Sequence, residues 1–154
     1  MVTDGRLEII NLLADNESRI GRLYSAYAEK FPEYYNFWIL LASEEEAHSQ
    51  WIKDLHGDVL KGSLFFDSER FDVKAIKLFA DYLEQKSVEL KEKDFDLKKA
   101  LGIAFDIENA LIESRWFEIY KTDQPSLRFS LKRLQDATNN HKQKLAEAIL
   151  AAQK

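Results

Sequence analysis

The chain has no cysteine. That excludes disulfides, thiolate zinc sites and Cys-ligated iron–sulfur centres. Glycine and proline are scarce, five and two in 154 residues, so little interrupts helix, and the period-two alternation of half-buried strands is rare. No run approaches the roughly twenty apolar residues that span a bilayer, so no membrane segment is expected. The opening MVTDGRLEIINLLADNE lacks a basic stretch followed by an apolar one, so no secretory leader is expected and the expected location is cytoplasmic. Positive charge is not in excess: 22 Lys and Arg against 27 Asp and Glu give a net charge of −5. Nothing in that balance argues for nucleic acid or anionic lipid as a partner. There is no nucleophile elbow and no phosphate-cradling glycine loop, which removes the usual grounds for a hydrolase or nucleotide-binding reading.

What is present is helical periodicity with polar residues in the wrong places. The length suits a single domain over 1–154, and the fold class is all-α. In the first helical stretch the inward stripe reads Ile10, Leu13, Glu17, Ile20, Tyr24, Tyr27, Phe31; in the second it reads Trp38, Leu41, Glu45, His48, Ile52, Leu55. Residues three or four apart share a helix face, so Glu17, Glu45 and His48 point inward among hydrophobes. An ionised carboxylate there is costly unless it is paired or holds a metal.

The spacing predicts a first helix over about 5–30, ending at Phe31-Pro32 because the residue before proline disfavours helix. A second runs over about 33–56, with Gly57 as its C′ glycine. Residues 57–71 read as a linker, followed by a shorter helix over about 72–92 with Val73, Ile76, Phe79, Ala80 and Leu83 on one side. Asp94 or Asp96 is placed to cap a helix over about 96–121. A tight turn at Thr122-Asp123-Gln124-Pro125 leads into a last helix over about 126–151. Two short turns make two antiparallel hairpins, and the long middle connection carries the chain from one end of a bundle to the other. Two hairpins, a long crossover and an extra short helix within it describe a ferritin-like four-helix bundle.

The last two long helices carry the same anomaly. One offers Leu101, Phe105, Glu108, Ile112, Trp116 and Ile119; the other offers Leu127, Leu131, Leu134, Thr138, His141, Leu145, Ala148 and Ala152. Glu108 and His141 fall inward, with Glu113 the alternative carboxylate. Glu45 and His48 are three apart, so both reach one point beside their helix; Glu45 is preferred to Glu44 because it shares the stripe. Glu17 and Glu45 lie at similar distances from their turn, and Glu108 and His141 from theirs, so all four helices are expected to bring polar groups to one layer. Each group alone has an ordinary reading: a helix-start acid for Glu17, a solvated Glu44-Glu45-Glu46 run, core histidines for His48 and His141. Together, carboxylates and imidazoles suit Fe, Mn or Zn.

The segments Glu17…Tyr24…Phe37-Trp38…Glu44-Glu45-Glu46-Ala47-His48 and Ile107-Glu108…Glu113, with His141 after them, resemble the rubrerythrin branch of the ferritin-like di-iron carboxylate proteins. The resemblance covers about residues 10–56 and 97–150. It implies a metal set of Glu17, Glu45, His48, Glu108 and His141, with Glu45 bridging, Glu17 and His48 serving one ion, and Glu108 and His141 the other. It implies iron as cofactor, as a pair or a single ion, and a peroxidase-like reduction of peroxide or dioxygen. The usual Cys-ligated electron-delivering domain has no counterpart here, so the donor would be external. A homodimer is the expected assembly, because such bundles often pair through a helix face. Tyr24 is the candidate hydrogen-bond partner for a ligand. One departure stands out: the family's second Glu-x-x-His is here Thr138-Asn139-Asn140-His141, so a carboxylate is missing. That departure keeps two alternatives in view, a non-catalytic metal-binding protein and a helical interaction protein with a degenerate site.

Overall fold

A computed structural model of the chain describes residues 5–62, 72–114 and 125–153, with the side chains at 112–114, 126, 127 and 130 outside the description. Every regular element among the described residues is helical. The helices are α1 (Arg6–Lys30), α2 (Tyr35–Leu60), α3 (Val73–Glu89), α4 (Leu97–Ser114) and α5 (Pro125–Ala152), with one 3₁₀ turn at Pro32–Tyr34 between α1 and α2. None of the described helices is long and apolar enough to cross a membrane. The chain divides into two compact units, Met1–Glu92 and Lys93–Lys154.

In the first unit, α1 and α2 form an antiparallel hairpin. Tyr27 packs on Trp38, Gly21 lies against Ala42 and Glu45, and Ser18 meets Ser49; the partner number rises as the α1 number falls. The third helix lies against α1 and runs in the same direction, since Glu8 pairs with Lys77, Arg19 with Glu84, and Lys30 donates to the Leu90 carbonyl. With neighbours on two sides, α1 buries two rows rather than the single stripe its pattern suggests. Ile9, Asn16 and Leu23 are covered as fully as Ile10, Glu17 and Tyr24. Fully burying a large aliphatic side chain contributes about 1.5–3 kcal/mol, so this doubly covered helix carries much of the unit's apolar stabilisation.

The end of α2 differs from expectation. The helix continues through Gly57 to Leu60, and the left-handed terminating residue is Gly62, with φ of 76°. A mid-helix glycine costs about 1 kcal/mol. The extra turn buries Val59 below Leu55 on the same stripe, and that burial outweighs the cost. The rest of the expected linker, 63–71, lies outside the described residues.

The helix starts follow local chemistry. Asp72 caps α3 by accepting from the Ala75 N–H at 3.2 Å, and Asp96, of the two candidates, caps α4 by accepting from the Lys99 N–H at 2.9 Å. Within the second unit, α4 and α5 pair in opposite directions: Glu108 meets His141, and the Lys142 ammonium stands over the Phe105 ring at 5.6 Å. The buried face of α4 is rotated from the expected stripe. Ala100, Ala104, Ile107 and Leu111 are buried with Leu101 and Glu108, while Phe105 stays half-buried. On α5, Leu131, Leu134, Thr138, His141 and Leu145 are buried as the pattern predicts. The expected turn at 122–124, with Trp116 and Ile119, lies outside the described residues.

Candidate metal centre

Three of the five candidate ligands belong to the α1–α2 hairpin. Glu17 sits three turns into α1, far from the helix start, and is 2% exposed; Glu45 is 1% exposed and His48 is 5% exposed. The neighbouring Glu44 is half-buried and Glu46 is exposed, so helix phase separates one acid from a run of three. One ligand atom from each of Glu17, Glu45 and His48 lies within 4.8 Å of the other two. Ligand atoms about 2.0–2.2 Å from one ion stand as much as about 4.4 Å apart, so the set is at coordination range with little side-chain adjustment. His48 Nδ1 stands 3.7 Å from Glu45 Oε2. The half-buried Trp51 indole, its centroid 5.9 Å from the His48 ring, flanks the imidazole.

The surroundings hold this set at a defined helix spacing. On one side Gly21 lets the helices approach: a Cβ there would meet the Ala42 carbonyl oxygen and Glu46 Oε1, each at 3.3 Å, and Glu45 Cβ at 3.5 Å. On the other side the Ser49 hydroxyl donates to the Ala14 carbonyl at 2.8 Å, and Ser18 Oγ lies 2.9 Å from Ser49 Oγ. Beyond Gly21 an aromatic plug closes the hairpin. The Trp38 ring packs at 4.9 Å from Tyr27, 5.1 Å from Phe37 and 5.5 Å from Tyr24. Tyr24 therefore stands inside that plug. Burial, with Tyr82 and Glu89 nearby, pushes the Tyr27 hydroxyl well above its ordinary pKa.

The other two candidates belong to the second unit. Glu108 and His141 are both fully buried, and His141 Nδ1 lies 3.4 Å from Glu108 Oε1, within hydrogen-bonding distance. Thr138, one turn before His141, is buried, but its hydroxyl donates to the Leu134 carbonyl at 3.1 Å. Asp136 is exposed. The side chain of Glu113 lies outside the described residues.

Asn16 and Ser49 escaped the sequence pattern. Asn16 is buried and donates to the Ile76 carbonyl at 3.3 Å, while Arg19 donates to its side-chain oxygen at 3.3 Å. It falls on the row Ile9, Leu13, Asn16, Ile20, Leu23, and reading that second row would have found it. Ser49 falls on Ala42, Glu45, Ser49, Ile52 in the same way. Comparison with family models, with curated proteins and with solved structures finds no match to this chain.

The donor set fits a hard or borderline divalent ion. Two carboxylates and a neutral imidazole supply oxygen and nitrogen ligands and two negative charges, with no sulfur to select Cu(I). Burial of two acids at one point is the costly feature that a cation offsets.

Proposed function

We propose that this chain is a ferritin-like metal-binding protein resembling the rubrerythrin di-iron domain, with Glu17, Glu45, His48, Glu108 and His141 as its ligands. The reading takes its main support from one observation: Glu17, Glu45 and His48, all buried, offer ligand atoms within 4.8 Å of one another. Antiparallel pairing of α1 with α2 and of α4 with α5 also supports it. Within each hairpin the polar residues lie at similar sequence distances from the turn, which is the spacing that a ferritin-like bundle uses.

Iron held there would supply electron transfer to peroxide or dioxygen, with electrons returned by an external donor. The residues' part is binding and shielding. The two carboxylates would neutralise a divalent ion, His48 would supply a nitrogen ligand that fixes its position, and the Tyr24–Trp38 plug would keep water from one side.

A second reading has its own support. Thr138 turns its hydroxyl to the Leu134 carbonyl where the family has a carboxylate, which favours a metal carrier or sensor without turnover. The two readings separate in one experiment. Chelator-treated protein is loaded anaerobically with Fe(II), its melting temperature is compared with the metal-free form, and peroxide is added. The redox reading expects metal-dependent stabilisation and oxidation faster than that of free Fe(II). Stabilisation with no faster oxidation leaves the carrier reading. No stabilisation overturns both and leaves the helical interaction protein.

A further inference from the structure

We infer that the metal capacity of this chain is unequal: one divalent ion binds tightly to Glu17, Glu45 and His48 of the α1–α2 hairpin, and Glu108 and His141 do not form a second tight site. This inference rests on the metal-binding reading above and decides how that site loads.

The first support is charge. The di-iron arrangement uses four carboxylates, one on each of two helices and one in each Glu-x-x-His, so two divalent ions are neutralised. Among the described residues this chain keeps three buried candidates: Glu17, Glu45 and Glu108. With His48 neutral, Glu17 and Glu45 carry −2 between them, and a single divalent ion brings the α1–α2 set to zero. A second ion would leave a net positive charge among buried groups with one remaining carboxylate to meet it. An uncompensated buried charge costs several kcal/mol, and each 1.4 kcal/mol is tenfold in affinity.

The second support is the geometry of the α4–α5 pair. Glu108 Oε1 is already within hydrogen-bonding distance of His141 Nδ1 at 3.4 Å. The position that would add the missing charge holds Thr138, which is neutral and whose hydroxyl donates into its own helix at 3.1 Å. The nearby acid, Asp136, is exposed. Among the described residues of its own unit, the α4–α5 pair therefore offers two such donors where the α1–α2 set offers three.

The third support is the scaffold. All three ligands of the proposed tight site belong to one hairpin. Its helices are fixed on either side of the ligand level by the Gly21 contact and by the Ser49 bond to Ala14. Pre-organised ligands lose less on binding.

The test is an anaerobic titration of the chelator-treated full chain with Mn(II) and with Fe(II), read by calorimetry and by elemental analysis after gel filtration. The expected result is one tight ion per chain, with any second step weaker by at least about a hundredfold. Mn(II) should show the spectrum of an isolated ion rather than a coupled pair. His48→Gln should weaken the tight step by more than about a hundredfold, while His141→Gln should leave it within about threefold. Thr138→Glu, which restores the missing charge, should raise the capacity to two. Two equivalent tight ions in the unaltered chain would overturn the inference and leave the metal-binding reading standing. So would loss of the tight step in His141→Gln with its retention in His48→Gln. A folded chain that takes up neither ion would overturn the reading and this inference together. The histidine pair keeps the test decisive if Thr138→Glu fails to fold.

Discussion

Gly21 of α1 lies against Ala42 of α2, and a Cβ on residue 21 would stand 3.3 Å from the Ala42 carbonyl oxygen. That contact sets the hairpin spacing one turn from Glu17 and directly over Glu45. Replacing it tests whether helix spacing governs the metal set.

Gly21→Ala gains up to about 1 kcal/mol of helix propensity but pushes α2 outward by a few tenths of an ångström. The two effects oppose one another, so the metal-free melting temperature should move by no more than about 3 °C. Affinity for Mn(II) should fall by about tenfold, because the ligand atoms separate. Unchanged affinity on calorimetric titration would show that the ligands adjust freely.

Removing one acid should act oppositely on the two forms of the protein. In the metal-free chain, Glu17→Gln relieves like charges buried at one point and should raise stability by about 1–3 kcal/mol. With Mn(II) at a hundred times its dissociation constant, the unaltered chain should gain about 2.7 kcal/mol and the variant little. Urea denaturation with and without Mn(II) measures both. A variant less stable than the parent in chelator would contradict the cost assigned to this pair.

The pH dependence of stability should show Tyr27 on the alkaline side. Its pKa is raised above the ordinary 10.0, chiefly by burial. An unfolded chain ionises this hydroxyl near pH 10 while the folded one keeps the proton, so the unfolded state binds fewer protons there. Its contribution is fully present below about pH 10 and is lost as the pH rises beyond that. Tyr27→Phe has no such proton, and its urea midpoint should decline less steeply between about pH 9 and 11. Parallel declines in the two proteins would contradict the assignment.

The rotated face of α4 can be checked by truncation. Ile107 is 0% exposed and Phe105 is half-buried. Ile107→Ala should cost about 2–5 kcal/mol in chemical denaturation. Phe105→Ala should cost less, although it removes the larger side chain. The reverse order would restore the stripe expected from the sequence.

Much of this arrangement is legible in the residue pattern. A period of 3.6 residues, interrupted at Pro32 and around 90–96, marks the helices. The same period separates Glu45 from Glu44 and Glu46, and it puts Glu17, His48, Thr138 and His141 on inward faces. The rest needed neighbours. Gly57 looks like a helix end in sequence, yet burial of Val59 carries α2 past it to Gly62. Phe105 looks like core, yet the packing of α4 favours Ala104 and Ile107.

The chain by itself determined the helices, their inward stripes and the polar residues on them, because periodicity and local capping are short-range. Tertiary structure decided which second row of α1 is covered, where α2 stops, and that Asn16 and Ser49 tie helices together. Those outcomes depend on which surface comes to lie against which, and no residue carries that information within its own helix turn.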